Sequence, residues 1–410
     1  MQRTVMLVCA FSLLLVSIFG QAAKEAGKKA DNVVLLFQWK DGLRLTTADG
    51  RFEVQIGGRI HNDWTVMEAA EPLTSQFGEM TDGTEFRRAR VSLSGVTYEN
   101  VEFKAQFDFA TGDAAFRDVY VGLRKLKGIG NIRFGQFKEP FGLEEQTSSN
   151  FITFMERSLA NAFVPSRHTG IMIHDRELGE RISWAAGVFK DTNDFGIAMG
   201  DENWAVTGRV TAVSWFADEG RRLLHLGVAY SRRNIASSFR FRERPEAHLA
   251  PRFVDTGVFP AEALNLIGTE AALVYGPTSI QAEYIRADTE LPNGVGRTGP
   301  TLGGFYVLGS VFLTGENRSY RPSDAAFSRV RPRSTFPSRE DGTGAWEVGV
   351  RYSKVDLNDG PVTGGVLKDL TAGLNWYLNA NSRIMWNYVR AALEGRGAAD
   401  ILQMRFQVDF

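Results

Sequence analysis

The sequence predicts an all-β chain: a transmembrane antiparallel β-barrel of about sixteen strands, with loops folded inward. Three observations predict it. Beyond residue 23 no run of 18 apolar residues exists, so helical membrane spans are excluded. The chain is instead a series of segments, each about 9 to 17 residues long, that alternate apolar and polar side chains. Aromatic residues recur near segment ends, as in an aromatic girdle: Trp64, Tyr98, Trp204, Tyr230, Tyr275, Trp346, Trp376 and Tyr388.

The alternation is strict enough to assign faces. Between Arg51 and Met67, Phe52, Val54, Ile56 and Ile60 share one face, opposite Glu53, Gln55, Arg59 and His61. Val101, Phe103, Ala105, Phe107 and Phe109 oppose Glu102, Lys104, Gln106 and Asp108. At the end of the chain, Leu402, Met404, Phe406, Val408 and Phe410 oppose Gln403, Arg405, Gln407 and Asp409. Period 2 means strands with one apolar and one polar face. A soluble sandwich shows the same period, but its strands usually run to about 5 or 6 residues, and its turns do not alternate between very short and long.

The predicted strands are 51–67, 84–98, 100–112, 115–126, 129–138, 167–175, 180–190, 202–216, 221–234, 263–275, 277–288, 300–314, 343–356, 365–378, 380–394 and 399–410. Their even number suits a bacterial single-chain barrel, and sixteen strands are wide enough for an aqueous channel. If the first strand leaves the periplasm, short links near Glu99, Lys127, Gly179, Asp218, Gly276 and Asn379 fall on the periplasmic side. The third and fifth external loops then span 139–166 and 235–262. Residues 315–342 break the pattern, being long yet periplasmic by parity; they hang below the barrel or fold up into it.

The segment ahead of the barrel divides at residue 22. Arg3, the apolar stretch Thr4–Phe19 and the small-x-small Gly20-Gln21-Ala22 read as a cleavable signal peptide over 1–22. Residues 23–50 form an N-terminal segment with a short hairpin over Asn32–Leu45, and 51–410 form the barrel. The single cysteine, Cys9, lies in the apolar stretch, so the mature chain has no disulfide framework, thiolate metal site or cysteine nucleophile. It sits too early for a lipoprotein signal.

Composition narrows the function. Gly reaches 42 of 410 residues, aromatics 11%, and mean hydropathy is −0.19. The formal net charge of −1 gives no reason to expect nucleic acid as a partner. Arginine nevertheless outnumbers lysine by 36 to 11. Arg59 lies on the polar face of strand one; Arg88 and Arg90 share that of strand two, with Arg87 beside them. In loop five Arg240, Arg242 and Arg244 repeat at period 2, next to Arg232 and Arg233, and the long link adds Arg318, Arg321, Arg329, Arg331, Arg333 and Arg339. A guanidinium stays charged at any relevant pH, and its planar fork of donors matches phosphate bidentately. A row of them along a pore passes an anion from site to site without trapping it. Lumenal arginines also pair with acids across a wet barrel, and Glu102, Glu243 and Glu246 are placed to do so.

Loop three leaves its strand abruptly at Lys138-Glu139-Pro140-Phe141-Gly142, because proline cannot pair inside a sheet. Its apolar stretch Phe151–Arg157 predicts an inward fold that narrows the channel. No catalytic constellation stands in a plausible context. His61, His168, His174, His225 and His248 show no metal-ligand spacing, and His174-Asp175 at a strand end suits a rim hydrogen bond better than chemistry.

Several stretches resemble the phosphate-selective porin O/P family over essentially the whole mature chain. They are Ile56-Gly57-Gly58-Arg59-Ile60, Phe86-Arg87-Arg88-Ala89-Arg90, Phe134-Gly135-Gln136-Phe137-Lys138-Glu139-Pro140-Phe141, Phe154-Met155-Glu156-Arg157-Ser158 and Asn375-Trp376-Tyr377-Leu378-Asn379. The resemblance implies homotrimers of sixteen-strand barrels in the bacterial outer membrane. In them loops three and five and one long periplasmic turn enter the pore, and arginines conduct phosphate or related anions without a cofactor. Carried over by position, Arg59, Arg87 and Arg88 match the family's strand arginines, and Arg240, Arg242 and Arg244 its loop arginines. The terminal Phe410 resembles the recognition signal of the barrel assembly machinery. The expected function is therefore a passive, anion-preferring porin with inorganic phosphate as its solute and outer-membrane lipid around it. The alternatives are a general diffusion porin and a structural or adhesin-like barrel without flux.

Overall fold

The computed structural model describes residues 34–39, 41–292, 298–337 and 342–410. The expected signal peptide and Arg339 lie outside the described residues. Sixteen long strands form the wall: β1 Phe52–Ala69, β2 Gly83–Thr97, β3 Val101–Asp108, β4 Ala115–Leu126, β5 Gly130–Lys138, β6 Arg167–Glu177, β7 Ile182–Lys190, β8 Trp204–Ala217, β9 Arg222–Asn234, β10 Ala263–Tyr275, β11 Thr278–Glu290, β12 Thr298–Phe312, β13 Ala345–Asp359, β14 Val362–Tyr377, β15 Ser382–Leu393 and β16 Gly397–Asp409. Each pairs antiparallel with the next, and β16 returns to β1 from Ala399↔Ala69 to Asp409↔Arg59. The barrel is closed, so no backbone edge is left between first and last strands.

Burial is inverted relative to a water-soluble sandwich, as a lipid-facing wall requires. On β16 Leu402 is 55% and Phe406 45% exposed, while Arg405 between them is fully buried. Trp64, Tyr98, Trp204, Tyr230, Tyr275 and Tyr388 are likewise exposed on the outside. At one end the links are tight. The link between β10 and β11 is only Gly276-Pro277, where Gly276 takes φ 58° at no steric cost.

The N-terminal hairpin expected over Asn32–Leu45 is present as Leu35–Trp39 and Leu43–Thr47, with Asn32, Val33 and Lys40 outside the described residues. Its second strand pairs with Glu53–Ile56 of β1, below the point where β16 stops. Phe410 fills the junction: its N–H donates to Gly58 O (3.0 Å) and its carbonyl accepts from Gly58 N–H (2.6 Å).

Loop three is tied to the inward side chains of β13–β16. Arg383 donates to Ile152 O (2.9 Å), Asn375 to Thr153 O (2.8 Å), Arg405 to Met155 O (2.6 Å) and Gln407 to Asn150 O (3.1 Å). Phe154 lies so close to β14 that a Cβ on Gly373 would meet its ring at 2.9 Å. Loop five reaches the same wall through Glu246, which accepts from Ser353 Oγ (2.5 Å) and Arg351 Nε (3.0 Å). The long link between β12 and β13 makes interior contacts too. Arg318 donates to Gln281 Oε1 (2.9 Å), Tyr320 Oη bonds His225 Nδ1 (2.7 Å), and Ala325 O accepts from Arg209 (3.0 Å). Of the two courses open to 315–342, its described residues take the inward one. The interior beside β9–β16 is thereby occupied, and open space remains along β1–β8.

Candidate anion pathway

That space is a cavity of about 380 Å³ between the wall of β1–β8 and the inner side of loop three, with Ser323 and Asp324 of the long link at its border. Ten cationic side chains line it, from Arg59 on β1 to Arg209 on β8, against two carboxylates, Asp118 and Asp324. Strand alternation puts Arg59, Arg88 and Arg90 there, while Arg157 comes from loop three. Arg59 and Arg90 face each other across the β1–β2 ladder, and Arg90 faces Asp108 across β2–β3. Like charges directly opposite repel, and Asp108 relieves this by accepting from Arg90 Nε at 2.7 Å. Asp118 holds Lys104 and Arg167, each at 2.7 Å. Other partners stand behind the lining: Glu102 for Arg133 (3.0 Å), Glu145 for Arg157 (3.0 Å) and Glu270 for Arg209 (2.6 Å).

Arg59 differs from these. Among the described residues no carboxylate lies within ion-pair distance of it. Its Nη1 donates to Ser148 Oγ (3.2 Å) and Ser149 Oγ (2.9 Å) on loop three, and its buried Nε has no partner. Arg88, which is buried, is only weakly satisfied: 3.8 Å from Glu156 and 3.4 Å from His61 Nδ1, with its Nε unpartnered among the described residues.

A β-bulge explains how Arg87 and Arg88 both reach the interior. Strict alternation sends neighbours to opposite faces, but the β1–β2 register slips here, pairing His61 with Arg88 and Asn62 with Phe86. Arg87 is the extra residue, and a bulge re-aims a side chain in this way. Phe86 stays outside, 59% exposed. Arg87 then grips Glu156 of loop three bidentately (3.0 and 2.9 Å). Arg405 reaches the same carboxylate at 2.8 Å. Burial alone would raise the Glu156 pKa, but Arg87, Arg88 and Arg405 hold it well below the usual range. Asp63 also holds Arg405, at 2.6 Å, so two carboxylates face three guanidiniums and one positive charge is left over.

The structure does not gather the six sequence-predicted arginines into one row. Arg59 and Arg88 line the main cavity. Arg87 and Arg244 line a second, of about 230 Å³, with Glu243 and Arg252. Arg240 and Arg242 line a third, of about 290 Å³. Two small ladders divide the loop-five triplet: Ser238–Phe239 with Phe259–Pro260, and Arg242–Glu243 with Val254–Asp255. Arg240 is held by both oxygens of Asp255, and Arg244 donates to His248 O. Glu246 pairs not with the triplet but with Arg351 (2.5 Å). Glu243 remains beside Arg244, its carboxyl pushed up to about 7 by burial.

Sequence reasoning missed Ser148, Ser149, Arg133, Arg157 and Arg167. Arg133 was accessible from strand alternation between Ile132 and Phe134; nothing local marks the serine pair, which meets Arg59 only through the tertiary fold. His174 makes no side-chain hydrogen bond to Asp175, and among the described residues its Nε2 has no partner.

Comparison with known proteins agrees with this architecture. The family described as "Phosphate-selective porin O and P" matches residues 54–410. Porin O of Pseudomonas aeruginosa is 27% identical over 403 residues, covering 88% of each chain. A Caulobacter vibrioides protein is 30% identical over 383 residues, covering 88% of this chain and 72% of its own. In fold, an anion-selective porin from Comamonas acidovorans superposes with a TM-score of 0.56 at 12% identity, covering 88% of this chain and 100% of the other. The trimer form of the Vibrio cholerae outer-membrane protein OmpT gives 0.54 at 11%, covering 88% and 99%. A closed sixteen-strand wall, an interior that keeps open space and a family match over almost the whole barrel identify a channel rather than an enzyme: the chain belongs to the phosphate-selective porin O and P family of the bacterial outer membrane.

Proposed function

We propose that the channel passively conducts small anions, with inorganic phosphate as its favoured solute, and that Arg59, Ser148 and Ser149 form the principal binding point. The observation that carries this is Arg59 itself, a half-buried guanidinium that faces two hydroxyls instead of a carboxylate. Guanidinium N–H and serine O–H groups both donate to phosphate oxygens, and charge-assisted donors are the strong ones. Arg88 and the other lining cations raise the local anion concentration. Their partial neutralisation by Asp108, Asp118 and Glu102 keeps binding shallow enough for release. Inward loop three sets the narrow section, Arg87 and Arg244 act as an outer relay, and Arg240 and Arg242 attract anions at the loop-bearing end. No cofactor or energy source takes part.

Chloride current through single channels in a bilayer tests the reading. Reversal potentials should favour chloride over potassium, and micromolar to millimolar phosphate should block the current. Absence of block would overturn phosphate selectivity. The second reading, a general diffusion pore, has its own support: Arg87 and Arg240 are held bidentately by Glu156 and Asp255. It predicts weak selectivity and no block.

The barrel's partners follow from its outside. Exposed Trp64, Trp204 and Tyr275 suit the headgroup region of outer-membrane lipid. A homotrimer would cover part of this wall, and crosslinking in the membrane tests it. Phe410, exposed at the end of the chain, would be read by the barrel assembly machinery.

A further inference from the structure

We propose that the third cavity, at the loop-bearing end, is a binding site for small organic anions that carry an aromatic ring. Its volume of about 290 Å³ is close to the lower end of ordinary ligand cavities, roughly 300 to 1,000 Å³. It lies between Ala162–Ser166 at the end of loop three, Phe239–Arg242 of loop five, and Leu264 and Leu266 of β10. Three rings form one wall. Phe241 meets Phe163 edge-on at 4.9 Å and 62°, and Phe239 at 4.8 Å and 67°. Edge-on clusters of this kind accept a further ring at the same spacing. Phe239 is only half-buried, so the wall is accessible.

The polar side is as specific. Arg242 lines the same cavity, and among the described residues its guanidinium has neither a hydrogen bond nor an ion pair. Asp255, paired with it across the small ladder, is gripped by Arg240. The one carboxylate lining the cavity, Asp191, faces His168 at 2.9 Å. A free cation beside an apolar, aromatic wall matches a ligand with a carboxylate or phosphate head on an aromatic body. Inorganic phosphate would leave the rings uncovered, and an uncharged arene would leave Arg242 unmatched. The site is separate from the Arg59 cavity, so it stands whether or not that cavity selects phosphate.

Isothermal titration of the full-length, detergent-solubilised barrel tests this, with saturating inorganic phosphate present to occupy the main cavity. Benzoate and phenyl phosphate should both bind, and phenol more weakly than either. Phe239→Ala should weaken both anions roughly three- to ten-fold. Arg242→Gln should remove their advantage over phenol. Phe239→Leu keeps an apolar side chain and should lose less, which covers failure of the alanine variant to fold. Equal binding of phenol and benzoate would overturn the proposal, as would unchanged affinity in both Phe239 variants.

Discussion

Arg59 of β1 and Ser149 of loop three are joined across the barrel interior by a 2.9 Å hydrogen bond, and among the described residues no carboxylate shares the guanidinium. A solute phosphate can therefore insert between wall and loop without first displacing an acid. Arg59→Ala should weaken phosphate block of chloride current about ten-fold or more, the worth of a hydrogen bond to a charged group. Arg59→Lys should fall between, keeping the charge but losing the planar fork. Titration of single-channel block checks both; unchanged block in Arg59→Ala would move the binding point elsewhere.

Glu243 makes the outer relay pH-dependent. Burial pushes its carboxyl up to about 7, against the pull of the Arg244 N–H and the Arg252 and Arg244 guanidiniums. It shares its cavity with Arg87, Glu156 and His248, the last paired with Glu85 at 2.8 Å. Below pH 7 Glu243 is neutral and the cations act undiminished. As pH rises through 7 it gains a negative charge that offsets them. The chloride-to-potassium permeability ratio should accordingly fall from pH 6 to pH 8. Reversal potentials in a KCl gradient measure it, and Glu243→Gln should flatten the step.

The strands were legible because lipid and water force a strict two-residue period, and every predicted strand has its counterpart within a few residues. The site was legible only where it sits on regular strands, as Arg59 and Arg88 do. Arg87 reaches the interior through a one-residue bulge, which alternation cannot express. Arg240, Arg242 and Arg244 share a sequence period, but loop five builds two short ladders rather than one long strand, so the period does not fix a common face. Ser148 and Ser149 carry no signal in the chain; their meaning comes from Arg59, about 90 residues away.

Arg351 of β13 anchors both inward loops. It pairs with Glu144 of loop three (2.9 Å) and Glu246 of loop five (2.5 Å), and its guanidinium lies 4.6 Å from the Phe154 ring centre. Arg351→Met fills similar space but strands two buried carboxylates. Breaking a buried pair this way costs about 3 to 5 kcal/mol. The expected result is a lower unfolding temperature and a noisier open channel, read by thermal melting and bilayer recording. A quiet channel of unchanged stability would show that the backbone contacts of Arg383, Asn375 and Arg405 hold loop three alone.

The closure of the barrel rests on Gly58 and Phe410. Their two backbone hydrogen bonds continue the β1–β16 seam, and space there admits nothing more. A Cβ at Gly58 would stand 2.6 Å from Arg90 O and 2.7 Å from the Phe410 ring. The ring can rotate away; a carbonyl locked in the β1–β2 ladder cannot. Gly58→Ala should therefore reduce the yield of closed barrel on refolding into lipid, seen as loss of the fast, heat-sensitive electrophoretic form. Adding Phe410→Ala removes one clash and keeps the other, so the double variant should recover only in part. Phe410→Ala alone keeps both backbone hydrogen bonds and should refold nearly as well as the parent. If the terminal ring also serves as the assembly signal, that variant should still accumulate poorly in cell outer membranes. Normal accumulation would confine Phe410 to sealing the seam.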